Sequence, residues 1–202
     1  RSVVAALREG LQDEDGWVRY YACQSLGRLR IDSAADEVVA RMQDPSGQVR
    51  IAAVEALARL SGASAASALE EAARSTDADL KRAALVGLGL ARRVSAIPTL
   101  REAASSDDPA TRLVAIGALA EFDIADVIPA LAHAATDPDE GIRSAAMGYL
   151  STRRGAEATA ALLQRLLDPK TRDRALEAIA VTADERVDGV LAALDTADAR
   201  SE

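Results

Sequence analysis

The most regular charged feature of this sequence is a basic residue that recurs at steps of 31 residues, the last step being 29. The series consists of Arg19, Arg50, Lys81, Arg112, Arg143 and Arg172. Cations in such a register could form a rail that binds phosphate groups or an acidic peptide. The alternative is a ladder of structural ion pairs, with carboxylates four residues earlier or in the adjoining loops. These carboxylates are Asp15, Asp108 and Asp139, or Asp13, Asp44 and Asp137.

The position of these cations favours the structural ladder. Each stands early in a predicted helix, where a positive charge interacts unfavourably with the helix dipole and gains from a nearby carboxylate. On a helical wheel each falls about 40° from the cap, beside a predicted apolar stripe at about 0–20°. We therefore expect the ladder to lie among buried groups, so that Arg112→Leu destabilises the fold more than Arg59→Leu.

Residues that commonly carry catalysis are scarce. His133 is the only histidine and Cys23 the only cysteine. We find no Ser–His–Asp or Cys–His constellation and no histidine and cysteine set for a metal. We expect His133 to lie at a surface or interface, and Cys23 to pack as a small hydrophobic residue. The sequence therefore predicts a protein without enzymatic activity and without a cofactor.

The ladder belongs to a longer repeated unit, clearest in Asp139, Arg143, Ala146 and Leu150. Its first residue is Asp or Ser, types that cap helix N-termini. A second such residue stands thirteen positions earlier in five units, at Ser2, Ser33, Ser64, Ser95 and Asp126. Each unit is therefore predicted to form two helices, A and B. In the first B helix the buried stripe is expected to contain Val18, Ala22 and Leu26.

A period of this length predicts an all-α solenoid of about six 31-residue helical hairpins with a C-terminal capping helix. We treat residues 1–202 as one repeat domain. The expected repeats are 2–32, 33–63, 64–94, 95–125, 126–156 and 157–182, with the cap helix at 183–197. Because Ser2 already begins a regular unit, the first helix is either an edge of the array or follows earlier repeats of a longer chain.

Composition and charge limit the partners. The formal net charge is −8, which argues against nucleic acid and anionic membranes as the main partner. No apolar segment is long enough to span a bilayer. A single cysteine fits a reducing compartment, so we expect a cytoplasmic protein.

Four short motifs carry a family resemblance. They are Asp44-Pro45 with Val49-Arg50, Asp137-Pro138 with Ile142-Arg143, Ile97-Pro98-Thr99-Leu100 and Ile128-Pro129-Ala130-Leu131. Together with the hairpin period they resemble the HEAT-like repeats of the phycobilisome-lyase type, over essentially the whole chain. The resemblance implies a right-handed superhelix (an α–α superhelix) whose B helices line the concave side.

The exposed face of the B helices is the expected binding surface, because aromatic and arginine residues often anchor interfaces. Its candidate residues are Trp17, Tyr20, Ile51, Arg82, Val86 and Leu113. We expect a protein or peptide partner there, and little contribution from the fifth unit. The other interpretation is that Trp17 and Tyr20 pack against an upstream repeat.

Two other functions stay open. The resemblance raises a bilin-lyase-type subunit, although aromatic residues are only 2% of the chain. A helical-repeat nucleic-acid binder would need clustered cations on the B helices. The sequence offers Arg28, Arg59, Arg82 and Arg93, offset by Glu55, Asp79 and Glu121.

Overall fold

The computed structural model describes residues 2–180, which lie in helices and in the turns between them. The α-helices are α1 Val3–Gly10, α2 Gly16–Arg28, α3 Ala35–Ala40, α4 Gly47–Leu57, α5 Ala63–Ala72, α6 Ala78–Ala91, α7 Ile97–Ala103, α8 Pro109–Ala120, α9 Ile128–Ala134, α10 Glu140–Ser151, α11 Ala156–Arg165 and α12 Arg172–Ala180. Short 3₁₀ turns lie at Asp32–Ala34, Arg41–Gln43, Val94–Ala96 and Ala125–Val127. The predicted all-α solenoid of helical hairpins is confirmed. The expected cap helix at 183–197 lies outside the described residues.

Two compact units make up the chain, Arg1–Glu102 and Ala103–Glu202. In the first, the B helices α2, α4 and α6 pack in succession. In the second, α10 packs against both α8 and α12. The repeat boundaries, the single-domain assignment and the handedness of the superhelix stay predictions.

Aspartate caps start most of the B helices as the sequence predicts. Asp15 accepts a hydrogen bond from the Trp17 N–H at 2.8 Å. The caps of α6, α8 and α10 work in the same way, through Asp77, Asp108 and Asp139. Ser46 occupies the cap position of α4 without a side-chain hydrogen bond. These carboxylates satisfy amide groups that the first turn of a helix cannot pair internally.

The predicted caps of the A helices are wrong in four of the five cases. Ser2 caps α1, accepting from the Ala5 N–H at 3.2 Å. Ser33, Ser95 and Asp126 lie inside 3₁₀ turns, and Ser64 lies inside α5. The 3₁₀ turns satisfy early amides with backbone carbonyls, for example Ala34 N–H with Ile31 O at 2.9 Å. α5 is entered instead from Gly62, whose φ of +112° is easy only for glycine.

Small residues let neighbouring B helices approach closely. A Cβ atom placed on Gly27 of α2 would lie 2.6 Å from the Ala56 Cα of α4, which is too short for any side chain. The alanine of the repeat motif is fully or nearly fully buried at Ala22, Ala53, Ala84, Ala115, Ala146 and Ala175. The stack therefore depends on small contact residues, as the alanine-rich sequence suggests.

Val18 departs from the predicted buried stripe, because 40% of its surface is exposed. The equivalent Val49 of α4 and Ile142 of α10 are buried. α4 packs against α2 on one side and α6 on the other, whereas α2 packs against α1 and α4. Burial at this position thus depends on which hairpins pack against the helix. The helical period of the sequence contains no information about that packing.

Candidate protein-binding surface

The ladder arginines point toward the loops that join helix A to helix B within a hairpin. Arg19 forms a two-pronged ion pair with Asp44, with Nε–Oδ2 at 2.7 Å and Nη2–Oδ1 at 2.9 Å. Its Nη1 also donates to the carbonyls of Asp13 and Glu14. Arg112 repeats the fork with Asp137, at 2.8 and 2.9 Å. In both cases the carboxylate stands 25 residues further along, in the loop of the next hairpin.

The remaining ladder residues are held less completely. Arg50 donates from Nη2 to Asp77 Oδ2 at 2.9 Å and from Nη1 to the Asp44 carbonyl. Arg143 donates to carbonyls of its own loop, and Arg172 Nε donates to the Leu166 carbonyl at 3.0 Å. Lys81 is half-buried on α6 and lacks the planar fork of arginine. These contacts favour the structural interpretation of the ladder, which stays a prediction.

The ion pairs shift the titration of their partners. Hydrogen bonding from Arg19 is the main cause that holds the pKa of Asp44 below its usual range. Arg112 does the same to the pKa of Asp137, and Arg50 to that of Asp77. Burial raises the pKa of the Cys23 thiol to about 12, so the thiol is a poor nucleophile at neutral pH. His133 is exposed on α9.

Three aromatic residues form a cluster on the outer side of α2. The Trp17 and Tyr21 rings lie 6.3 Å apart at 30°, close to parallel. Tyr20 stands nearly perpendicular to both, at 5.7 Å from Trp17 and 5.1 Å from Tyr21. Trp17 is 55% and Tyr21 62% exposed, while Tyr20 is half-buried. We call Trp17, Tyr20 and Tyr21 the aromatic cluster.

Tyr21 is absent from the sequence-based candidates. Tyr21 follows Trp17 by four residues and therefore lies only about 40° from it on the helical wheel. Their spacing in the sequence thus predicts that the two side chains are neighbours. A second signal is size, because four of the five equivalent positions carry small residues. These are Ala52, Ala83, Val114 and Ala145, whereas the sixth unit has Arg174.

The other predicted contact residues lie on successive B helices. Ile51 on α4 and Arg82 on α6 are half-buried, and Arg82 donates to Asp79 at 2.6 Å. Val86 on α6 is 47% exposed. Leu113 is 41% exposed and belongs to α8 in the second unit. The assignment of these residues to one binding surface stays a prediction.

Carboxylates border the aromatic cluster. Asp13, Glu14 and Asp15 form an exposed loop directly before α2, and Asp15 is joined to Trp17 by its capping hydrogen bond. Glu55 of α4 accepts a hydrogen bond from Gln24 of α2, one turn beyond Tyr20. We call residues 13–15 the acidic loop.

Other site types find little support in residues 2–180. No group of His, Cys, Asp and Glu there has the arrangement of a metal site, and no helix there is long and apolar enough to cross a membrane. A cleft of about 400 Å³ lies in the second unit, with Ile124, Arg153 and Arg154 in its lining.

Comparisons with known proteins agree with the architecture. The family model of HEAT repeats matches residues 4–89, 67–146 and 97–183. No curated protein matches the sequence. The chain is similar to a solved structure of the complex of CpcE and CpcF of phycocyanin lyase from Nostoc sp. PCC7120, with a TM-score of 0.61 and 21% identity over 89% of this chain and 76% of that chain.

Two further structures are similar in fold. One is the S. pombe condensin Cnd3-Cnd2 subcomplex, with a TM-score of 0.62 and 23% identity over 92% of this chain and 27% of that chain. The other is a designed armadillo repeat protein in complex with the peptide (KR)4, with a TM-score of 0.54 and 16% identity over 88% of this chain and 99% of that chain. At these identities the similarity shows the fold alone.

Proposed function

Because this chain belongs to the HEAT repeat family, we propose that it is a non-enzymatic interaction module that binds a protein or peptide on the exposed face of its B helices, which the resemblance implies is the concave one. The proposed surface begins at the aromatic cluster on α2 and continues over Ile51, Arg82 and Val86 on α4 and α6. Leu113 on α8 is included as an apolar contact of the second unit. A cytoplasmic location is part of this proposal.

The exposed aromatic cluster is the observation that carries the proposal. Trp17 and Tyr21 leave more than half of their surface exposed, although aromatic residues are only 2% of the sequence. Tryptophan and tyrosine are the residue types that most often dominate binding energies. Their rings have few rotatable bonds, and the ring contacts within the cluster restrict them further, so little conformational entropy is lost on binding.

The neighbouring charges support a surface for contact rather than for catalysis. Arg19, the cation nearest in sequence to the cluster, already has a carboxylate and two carbonyls as partners. It is therefore not available to bind phosphate or to stabilise a reacting group. The exposed side chains of Val86 and Leu90 on α6 add an apolar patch to this surface. Exposed apolar patches tend to mark contact sites.

Selection of random displayed peptides on the intact chain tests this function. Selected peptides are expected to bind Trp17→Ala and Leu113→Ala at least tenfold more weakly, a loss typical of interface anchors. Ser144→Ala on α10 is the matched control and should bind as the wild type does. Circular dichroism of each variant verifies the fold. Peptides that bind all three variants equally would place the binding surface elsewhere.

A bilin-lyase-type subunit is the second candidate, because one similar structure is a phycocyanin lyase complex and the second unit has an arginine-lined cleft. Absorbance spectra after mixing with a free bilin test it. A shifted bilin band that is lost in Arg154→Ala would favour this function over a peptide-binding module. Nucleic-acid binding is tested by titration with duplex DNA at several salt concentrations.

A further inference from the structure

We infer that the aromatic cluster and the acidic loop together select a basic partner segment, with an arginine or lysine side chain lying against the exposed rings of Trp17 and Tyr21. This inference rests on the proposed function and specifies the chemical class of the partner.

The ring geometry suits a cation. The Trp17 and Tyr21 rings stack with centroids 6.3 Å apart and planes 30° apart, and more than half of each residue is exposed, so part of each ring surface is open to a partner. A guanidinium or ammonium group within about 6 Å of such a face is attracted by the ring quadrupole, most strongly by tryptophan. Tyr20 meets both rings at a steep angle and supports them from one side.

The surrounding charges favour the same class of partner. The acidic loop places three consecutive carboxylates directly before α2, all of them in exposed residues. Arg19 is paired with Asp44 and bonded to the loop carbonyls, not to the loop carboxylates, while Asp13 and Asp15 each use Oδ1 for a backbone amide of their own turn. Glu55 adds a further carboxylate one turn along, positioned by Gln24. The carboxylates of residues 13–15 and of Glu55 therefore outnumber Arg19 beside the rings, in line with the net charge of −8.

The nearest exposed cation on the same helix is remote. Arg28 is the last residue of α2, eleven positions after Trp17, which corresponds to about 16 Å along the helix axis. This is beyond the screening length of about 8–10 Å at physiological salt. An acidic segment would therefore meet repulsion at the cluster that Arg28 does not offset, whereas a basic segment would meet attraction from both the rings and the loop.

Trp17 is the only tryptophan of the chain, so its fluorescence reports binding at this place alone. The probe is an eight-residue peptide of alternating lysine and arginine, compared with peptides of the same length that alternate glutamate with serine and glutamine with serine. The lysine–arginine peptide is expected to change Trp17 emission in a saturable manner. The other two peptides should leave the emission unchanged.

Variants separate local recognition from overall charge, with the anisotropy of a dye-labelled peptide as readout. Tyr21→Ala should weaken binding roughly three- to tenfold. The pair Asp13→Asn with Glu14→Gln should weaken it too, while Asp173→Asn with Glu177→Gln on α12 removes the same charge elsewhere and should not. Equal weakening in the two charge variants, or unchanged binding to Trp17→Ala, would overturn the inference.

Failure of the inference is distinguishable from failure of the proposed function. If displayed peptides that depend on Trp17 prove to be acidic or apolar, and the basic peptide leaves the emission unchanged, the surface binds a partner but not a basic one. Sedimentation at increasing protein concentration adds a further outcome. A dimer that shields Trp17 and that the basic peptide does not dissociate would assign the cluster to a second copy and overturn the inference.

Discussion

The link between α2 and the loop before α4 differs from the link between α4 and the loop before α6. Arg19 meets both oxygens of Asp44, whereas Arg50 meets one oxygen of Asp77. Asp44 stands two residues before the cap of α4, while Asp77 is itself the cap of α6 and uses Oδ1 for the amides of Asp79 and Leu80. The number of carboxylate oxygens that each arginine meets therefore differs with the residue two positions before the B-helix cap.

The same rule holds at Arg112 in the second unit. Asp137 stands two residues before the cap Asp139 and receives the full guanidinium fork. It also accepts the Asp139 N–H at 2.8 Å, as Asp44 accepts the Ser46 N–H at 3.0 Å. One aspartate thus closes its own turn and binds the preceding hairpin. In the α6 loop the equivalent residue is Ser75, which closes the turn through its hydroxyl group and has no carboxylate to offer Arg50.

The largest expected effect is that of Asp44→Ala. The Asp44 side chain has no exposed surface, and its loss leaves the Arg19 guanidinium without its carboxylate. Removing one partner of such a pair costs on the order of 3 kcal/mol. Urea unfolding followed by circular dichroism measures the free energy of unfolding, with Asp107→Ala at an exposed site as control. A loss no larger than in the control would show that the fork contributes little.

Acidification should weaken the forked links. The folded-state pKa values of Asp44 and Asp137 are lowered, so their contribution is fully present above the unfolded-state pKa of about 3.9 and is lost as the pH falls through the folded-state value. Unfolding free energies measured between about pH 6 and pH 2 should fall along this range. Asp44→Asn should flatten the pH dependence, and an unchanged slope would contradict the assignment.

Arg112→Leu should destabilise the protein more than Arg59→Leu. Arg112 holds a carboxylate and two loop carbonyls, whereas the exposed Arg59, in the turn after α4, donates to the Glu55 carbonyl of that helix. Thermal unfolding of the two variants gives the comparison directly. Equal and small effects would remove the structural role of the ladder and revive the basic rail.

The smallest expected effect is a gain. Ser75→Asp should give Arg50 a second carboxylate while keeping the turn closed, since Asp44 and Asp137 fill both roles at equivalent positions. We expect a stabilisation of about 0.5 kcal/mol, in the range of partly exposed ion pairs. Ser75→Asn is the matched control, because it can close the turn without adding charge. Equal stability of the two variants would limit the rule to the links at Asp44 and Asp137.

The sequence predicts local features of the fold more completely than features that involve two hairpins. Asp77, Asp108 and Asp139 are recognisable as caps because the hydrogen bonds they accept come from amides two or three residues away. Ser33 and Ser95 are of a residue type that often caps helices. In the 3₁₀ turns around them, however, backbone carbonyls accept the hydrogen bonds of the early amides. Residue type alone does not distinguish these two ways of starting a helix.

The candidate surface shows the same limit. The helical wheel places Trp17 and Tyr20 on the outer side of α2, and their exposure and mutual contact are visible only in the structure. Val18 has the period of a buried residue, and its exposure follows from which hairpins pack against α2. Tyr21 could have been recognised from its size at a position where four other repeats have alanine or valine.

The forked links also constrain how an array of this kind changes length during evolution. Arg19 and Asp44 lie 25 residues apart in a unit of 31, so cation and carboxylate come from different repeats. Duplication or loss of one whole unit preserves the spacing at every junction, whereas a partial insertion would separate a guanidinium from its carboxylate. Recombination is therefore tolerated in steps of whole repeats, and a new neighbour is accepted most readily when it carries aspartate two residues before its B-helix cap.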